Sequence, residues 1–343
     1  MIESHAFDDA VRVLRDARRV LVTTHVRPDG DACGTMQALA QALRAIGKDV
    51  ELLLLSPVPD WYAFLFDGPV SVLPNGIAPG QIDTGPYGDC DTVLIVDTNS
   101  YVQLPGIEDW LKQSPRPVLV IDHHVTGDGL GTVELIDTTA AAAGEVVFDL
   151  LRHARWPITP AIAQALFAAI ATDTGWFRFS NTDARLFRIA AELTQAGAQP
   201  DILYRRLYQN FSPQRFRLMA RMLDSLELHF NNRVAVQTLL RRDFDETGAT
   251  GRDTENLIDE CRRIDSVEVA VLFVELGHKD GKGEAGFRCS LRSKGRVDVR
   301  AIAQASGGGG HAAASGVNLN LPLDAARKLI LAAIAEQLNS SSA

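Results

Sequence analysis

Apolar residues along this chain occur in two kinds of run, and the two kinds alternate. Residues 20–23, 50–55, 92–96 and 117–121 are short and rich in Val, Leu and Ile, and the last two are continuous and β-branched. Runs of that length and composition predict strands covered on both faces. Residues 7–19, 34–46, 139–151 and 160–172 instead carry Ala, Leu, Val, Phe and Met at helical spacing. Regular alternation of strand and helix predicts a parallel sheet with helices on both faces. The Pro- and Gly-rich stretch 56–91 is expected to be mostly loop.

Beyond residue 181 the pattern changes. Residues 182–227 read as helical and are rich in Arg, Leu and Ala, after which 233–239, 267–275 and 286–292 read as strands. A closing helix begins near Leu323, and the small apolar triplet Ala312-Ala313-Ala314 reads as the start of a closely packed helix. The expected architecture is therefore α/β. A parallel-sheet domain spans residues 1–185, a helical linker 186–228, and a smaller α+β domain 229–343.

Composition narrows the class. The 343 residues are 46% hydrophobic and 22% charged, ordinary for a globular protein of two domains. No apolar run approaches the roughly 20 residues of a membrane span, and residues 1–19 lack the apolar stretch of a signal peptide. The four cysteines are scattered without a CxxC pair, so reduced thiols and a cytoplasmic location are expected. A net charge of −9 argues against tight binding to long duplexes, which needs a broad basic surface, while leaving room for a small anionic ligand. Dimerisation is undecided by the sequence, and a homodimer is compatible with it.

The chemistry sits at the ends of the apolar runs. His25, Asp29 and Asp31 follow the first, Asp97 the third, Asp122-His123-His124 the fourth, and Asp173 closes a helical one. In open α/β sheets ligands bind beyond the carboxyl ends of the strands. An aspartate after a strand is often only a turn former or helix cap, and a single His-His pair is often incidental. Four such ends in order are a different matter. Two carboxylates about 4 Å apart repel by about 4 kcal/mol at an effective dielectric of 20, so a group of aspartates needs cations. Two divalent ions offset four carboxylates. Imidazole and carboxylate without thiolate suit Mn²⁺, with Mg²⁺, Co²⁺ or Fe²⁺ as alternatives.

A second group lies near the C-terminus, where Arg292 and Ser293 precede residues 307–310, all glycine, and His311. Bare backbone N–H groups can cradle an anion, and a guanidinium can clamp a phosphate. Arg292, Ser293, Gly309, Gly310 and His311 are the candidate substrate-binding residues.

These segments resemble the DHH phosphoesterase superfamily. Residues 24–35 are similar to its first motif, Val96-Asp97 to the second, Asp122-His123-His124 to the third and Thr172-Asp173-Thr174-Gly175 to the fourth. Residues 290–292 with 307–316 resemble the DHH-associated C-terminal domain, so the likeness covers nearly the whole chain. Its layout is closest to the bacterial group that degrades short oligoribonucleotides (nanoRNA) and dephosphorylates pAp. The resemblance implies His25, Asp29 and Asp97 on one Mn²⁺ and Asp31, Asp97, His123 and Asp173 on the other. It places His124 near the scissile phosphate and Asp122 in support, with a hydroxide bridging the two metals as the attacking group. The runner-up is a soluble phosphodiesterase acting on cyclic di-AMP or pApA. A nucleotide sensor without turnover is disfavoured by the intact ligand set. A RecJ-type exonuclease is expected to carry more chain, and a family II pyrophosphatase to lack the glycine-histidine segment.

Overall fold

The computed structural model describes residues 2–73, 79–85, 87–276 and 286–340, excluding the side chains at 79–81, 311 and 340. The chain divides into two compact units, Met1–Asn210 and Phe211–Ala343.

The first unit holds six parallel strands: β1 (Arg19–Thr24), β2 (Asp49–Leu54), β3 (Ser71–Val72), β4 (Thr92–Val96), β5 (Val118–Asp122) and β6 (Val133–Ile136). Their order is β3-β2-β1-β4-β5-β6, with every pairing parallel. The helices are α1 (Ser4–Asp16), α2 (Gly30–Ala45), α3 (Pro79–Thr84), α4 (Glu108–Gln113), α5 (Ala143–Ala154), α6 (Pro160–Asp173), α7 (Ala184–Gln195) and α8 (Pro200–Tyr208). Alternate strand residues go to opposite faces, as the two-residue period requires. Val20, Val22, Leu94, Val96, Leu119 and Ile121 pack with α1, α2, α5 and α6. Leu21, Val93, Ile95, Val118 and Val120 pack with Ile107, Trp110 and Leu111 around α4 and with Ile82 of α3. Both faces are covered, which is why the strands read as unbroken apolar runs.

The strand order reverses between β1 and β4, the crevice where open sheets bind ligands. Thr24 Oγ1 donates to the Val96 carbonyl at 2.8 Å and ties the two strand ends together there. Close packing of α6 brings a further element to this edge. A Cβ placed on Gly34 of α2 would meet the Ala165 carbonyl oxygen of α6 at 2.5 Å, and one on Gly144 of α5 would meet Ala169 Cβ at 2.6 Å. Glycine lets the α2 backbone approach the backbone of α6 at position 34 and the α5 backbone sit on the Ala169 methyl of α6 at position 144.

Several elements depart from the expectation drawn from the pattern. α2 starts at Gly30, so Asp31 lies in its first turn instead of the preceding loop. β6 and α4 carry no strong pattern; β6 exists because its backbone pairs with β5. The stretch 56–91 contains β3 and α3 among its loops.

The second unit contains α9 (Pro213–Asp224), β7 (Glu227–His229), β8 (Val234–Leu239), α10 (Arg241–Thr247), β9 (Val269–Glu275), β10 (Phe287–Ser293), α11 (Val299–Gln304), β11 (Gly309–His311), β12 (Ala314–Leu319) and α12 (Leu323–Ser340). The sheet order is β11-β12-β10-β9-β8-β7, antiparallel except for the parallel β8–β9 pair. Ile302, Ile330 and Ile334 of α11 and α12 cover one face, and Leu218 and Met222 of α9 the other. The helical stretch 186–228 is divided, with α7 and α8 in the first unit and α9 in the second. Ala312-Ala313-Ala314 does not start a helix. Ala314 opens β12, paired with Arg292 on one side and His311 on the other, so hydrogen bonding to two neighbours overrides the helical preference of alanine.

Candidate metal centre

The loops leaving β1, β4 and β5 and the end of α6 bring the acidic and imidazole residues together. Three groups of ligand atoms each lie within 4.8 Å of one another: His25, Asp29 and Asp97; Asp31, His123 and Asp173; and Asp97, His123 and His124. Asp97 is in two of the groups and is 3% exposed. Its backbone is left-handed (φ 58°), tolerated better by Asp than by most residues, and its N–H donates to the Ile121 carbonyl at 2.9 Å. His25 Nε2 and His123 Nε2 each lie 3.5 Å from one of its carboxylate oxygens.

Each imidazole is oriented through its other nitrogen. His25 Nδ1 sits 3.0 Å from the Val26 carbonyl and His123 Nδ1 3.3 Å from the Ala140 carbonyl. A carbonyl only accepts, so Nδ1 carries a proton, and Nε2 faces the carboxylates, keeping a proton of its own while no cation is bound and free to offer its lone pair when one is. A ring protonated at Nδ1 alone is the tautomer a metal requires. His124 Nδ1 lies 2.8 Å from Asp122 Oδ1, which also accepts from the backbone N–H groups of His123 (2.8 Å) and His124 (3.3 Å). Asp122 is fully buried beneath the pair.

The carboxylates have their own supports. Asp29 caps α2, its Oδ1 accepting from Asp31 N–H and Ala32 N–H at 3.0 and 3.1 Å. The helix-cap reading and the ligand reading thus apply to one side chain. Asp31, 1% exposed, receives Thr35 Oγ1 at 2.9 Å and the N-terminal amides of α5, Ala143 N–H at 2.6 Å and Gly144 N–H at 3.0 Å. Glu145 accepts from Ala141 N–H at 2.7 Å and pairs with Arg185, and Asn181 donates to the Ala141 carbonyl at 3.1 Å. These contacts brace the loop whose Ala140 carbonyl holds His123. The spacing of Thr35 four residues after Asp31 was visible in the sequence; the amides of α5 were not, since backbone donors leave no residue signature.

Without a cation the centre holds too much negative charge. Burial, with the charges of Asp97 and Asp173, pushes the Asp31 carboxyl well up. Burial lifts Asp173 to about 7, opposed by His123 and aided by Asp29 and Asp97. Burial works against charge on His25 and His123, yet hydrogen bonds to Asp97 and the surrounding carboxylates outweigh it and raise them to about 9 and 10. The hydrogen bond to Asp122 raises His124, partly opposed by burial. Asp122 Oδ2 is buried with no hydrogen-bond partner among the described residues, and buried Asp97 Oδ1 is met by His123 Nε2 only at the long distance of 3.5 Å. Retained protons and an orphaned buried carboxylate oxygen fit a site built for cations.

In the second unit, Arg292 is half-buried on β10, its Nε 3.9 Å from Asp259. Ser293 is 1% exposed, its Oγ accepting from Gly295 N–H at 3.0 Å. Gly309 and Gly310 lie on the edge strand β11, separated from β10 by β12; Gly309 faces open space and Gly310 adopts φ 136°. His311 belongs to β11, but its side chain is outside those described.

Phosphoesterases of the DHH class combine such a parallel-sheet edge with a mixed-sheet C-terminal unit, and this chain belongs to the DHH family. The family's N-terminal domain matches residues 19–170 and the DHHA1 domain residues 231–340. The bifunctional oligoribonuclease and PAP phosphatase NrnA of Thermus thermophilus is 32% identical over 325 residues, 93% of this chain and 90% of that protein. An exopolyphosphatase-related protein from Bacteroides fragilis shares the fold, with TM-score 0.91 at 22% identity, covering 100% of this chain and 99% of that one. RecJ from Thermus thermophilus, solved in complex with Mn²⁺, is more distant, with TM-score 0.51 at 13% identity over 99% of this chain and 54% of its own.

Proposed function

We propose that this phosphoesterase hydrolyses short oligoribonucleotides and pAp (adenosine 3′,5′-bisphosphate) with the help of two divalent cations, Mn²⁺ foremost. The observation that carries the reading is the convergence of His25, Asp29, Asp31, His123 and Asp173 around the buried carboxylate of Asp97. The NrnA relative supports the substrate class, and the Mn²⁺ bound by RecJ supports the metal.

In this reading His25, Asp29 and Asp97 hold one ion and Asp31, Asp97, His123 and Asp173 the other. The ions supply Lewis acidity, lowering the pKa of a water and offsetting charge on the phosphoryl oxygens. The chain's own residues do the rest. Asp97 would be shared by the two ions, and its buried left-handed backbone holds the carboxylate in position for that role. Val26 and Ala140 hold the His25 and His123 rings in the ligating tautomer. His124, its Nδ1 fixed by Asp122, is held ready to give a proton to an oxygen of the substrate phosphate. Arg292, Gly309, Gly310 and His311 form the surface that grips the terminal phosphate or base, with Ser293 shaping the turn behind them.

The test is hydrolysis of pAp, pApA, a three-to-five-residue RNA and cyclic di-AMP side by side, with Mn²⁺ and with chelator. Metal-dependent turnover of pAp and short RNA is expected. Preference for cyclic di-AMP would move the enzyme to second-messenger breakdown, and binding without turnover would sink the hydrolase reading.

A further inference from the structure

α6 ends in a turn that the metal centre does not explain. Gly175 N–H donates to the Thr172 carbonyl and Trp176 N–H to the Ala171 carbonyl, which terminates the helix. That closure requires a left-handed backbone at Gly175 alone. Trp176 and Phe177 are left-handed as well, both with φ 61°. Consecutive left-handed aromatic residues are strained, and such strain gathers at binding and catalytic sites.

The strained turn delivers the Trp176 ring to α8. Trp176 meets Tyr204 edge to face, with centroids 5.1 Å apart and planes at 68°, and meets Tyr208 at 5.7 Å and 84°. Leu203 and Leu207 anchor α8 in the core. Asp201, Tyr204, Arg205 and Tyr208, spaced at i, i+3, i+4 and i+7, form another face. Beside the contact of that face with Trp176 is an open groove of about 490 Å³ lined by Trp176, Pro200, Asp201, Tyr204, Arg205 and Gln209. Tyr204 is 39% exposed. Asp201 and Arg205 approach each other only to 3.9 Å and remain largely exposed, so both are available to a ligand.

The groove borders the acidic centre. Trp176 is three residues from Asp173, at most about 11 Å along the chain.

We propose that this groove is a base-stacking subsite for a nucleotide flanking the hydrolysed phosphate. The base lies with its face on one of the crossed Trp176 and Tyr204 rings and its edge toward the other. Arg205 engages a phosphate, and Asp201 accepts from an amino or hydroxyl group of the nucleoside. Crossed aromatic rings bind any base, because every base has a π face, and an adjacent cation suits the backbone. The inference rests on the oligoribonucleotide reading above and adds a reason why a nucleotide neighbouring the cleaved bond would matter.

The experiment compares wild type, Tyr204→Ala, Tyr204→Phe and Trp176→Phe on pApA and on its two singly abasic counterparts, with Mn²⁺. Binding of pApA to the chelated enzymes is followed by equilibrium dialysis. Tyr204→Ala is expected to weaken pApA binding and raise its KM by roughly tenfold or more, with a much smaller effect on one abasic counterpart. Tyr204→Phe, which keeps its ring, and Trp176→Phe, which keeps an aromatic face, should retain most of the affinity. Equal losses on all three substrates, or no loss, would overturn the subsite. So would a changed sedimentation coefficient in Tyr204→Ala, which would make the aromatic face a contact between copies of the chain. If wild type binds pApA in a Tyr204-dependent way yet hydrolyses none of the substrates, the subsite stands and the hydrolase reading fails.

Discussion

Replacing Gly34 by alanine tests whether helix spacing sets the metal centre. The new Cβ would lie 2.5 Å from the Ala165 carbonyl oxygen and 3.0 Å from both Ala169 Cβ and Ala169 N, where ordinary contact begins at 3.4 Å. The obstacle is the backbone of α6, which cannot swing aside as a flexible side chain would. Relieving the contact requires α2 to retreat by about 0.9 Å along that direction. α2 carries Asp31 and is capped by Asp29, while α6 ends in Asp173. His123 Nε2 lies 3.8 Å from Asp31 and 3.7 Å from Asp173, so the retreat is about a quarter of the ligand spacing. Overpacking of this kind costs about 1–3 kcal/mol, and alanine returns about 1 kcal/mol of helix propensity. The expected net destabilisation is therefore small, about 0–2 kcal/mol. Activity should suffer far more, because a misplacement near 1 Å can cost about 100-fold. The assay pairs Mn²⁺-dependent hydrolysis of pAp and a trinucleotide with thermal unfolding of the same preparation. A Gly34→Ala protein that melts higher than the parent and retains its turnover would refute the argument, since it would mean that the helices separate without disturbing the ligands.

Other expectations concern charge and support. Asp97→Asn should reduce turnover by more than about 100-fold while leaving far-UV circular dichroism unchanged; near-normal rates would remove the shared-ligand model. The chelated protein should lose stability as pH rises. Asp173, His25 and His123 are raised in the folded state, so what each contributes is complete below its unfolded value, near 4 for Asp173 and 6.5 for the histidines. That contribution is lost as pH climbs through about 7, 9 and 10 respectively. Melting with and without Mn²⁺ at pH 6.5 and 9.5 should then show a larger metal-induced gain at the higher pH, and an equal or smaller gain would contradict the charge account. Glu145→Ala removes the acceptor of Ala141 N–H and the partner of Arg185; Mn²⁺ affinity by calorimetry should fall about 10–100-fold, whereas unchanged affinity would make the brace irrelevant to His123. Arg292→Ala should raise KM for pAp roughly tenfold with little change in kcat, and a loss confined to kcat would place Arg292 elsewhere in the mechanism.

Strands β1, β4 and β5 could be read directly, because a strand buried on both faces must be apolar over most of its length, and helix α6 could be read because it too is largely apolar. The same burial made the site legible. Asp97 and Asp122 stand out as the first polar residues after stretches that tolerate none, His25 and Asp173 follow such stretches after one or two threonines, and all four belong to segments that resemble one family's motifs. Other features depended on partners distant in sequence. β6 and β12 are strands because β5 and β10 offer backbone to pair with, while residues 312–314 alone suggest a helix. Asp31 is held by the amides of Ala143 and Gly144, more than a hundred residues away. The aromatic groove needed both a left-handed turn after α6 and the outer face of α8, neither marked by composition. Local pattern determined which residues would be buried and which polar groups would stand at the strand ends. Only the tertiary structure decided which backbone groups meet those side chains and how closely the glycine-bearing helices approach, because hydrogen bonds to the main chain and interhelical distances are properties of the packed chain as a whole.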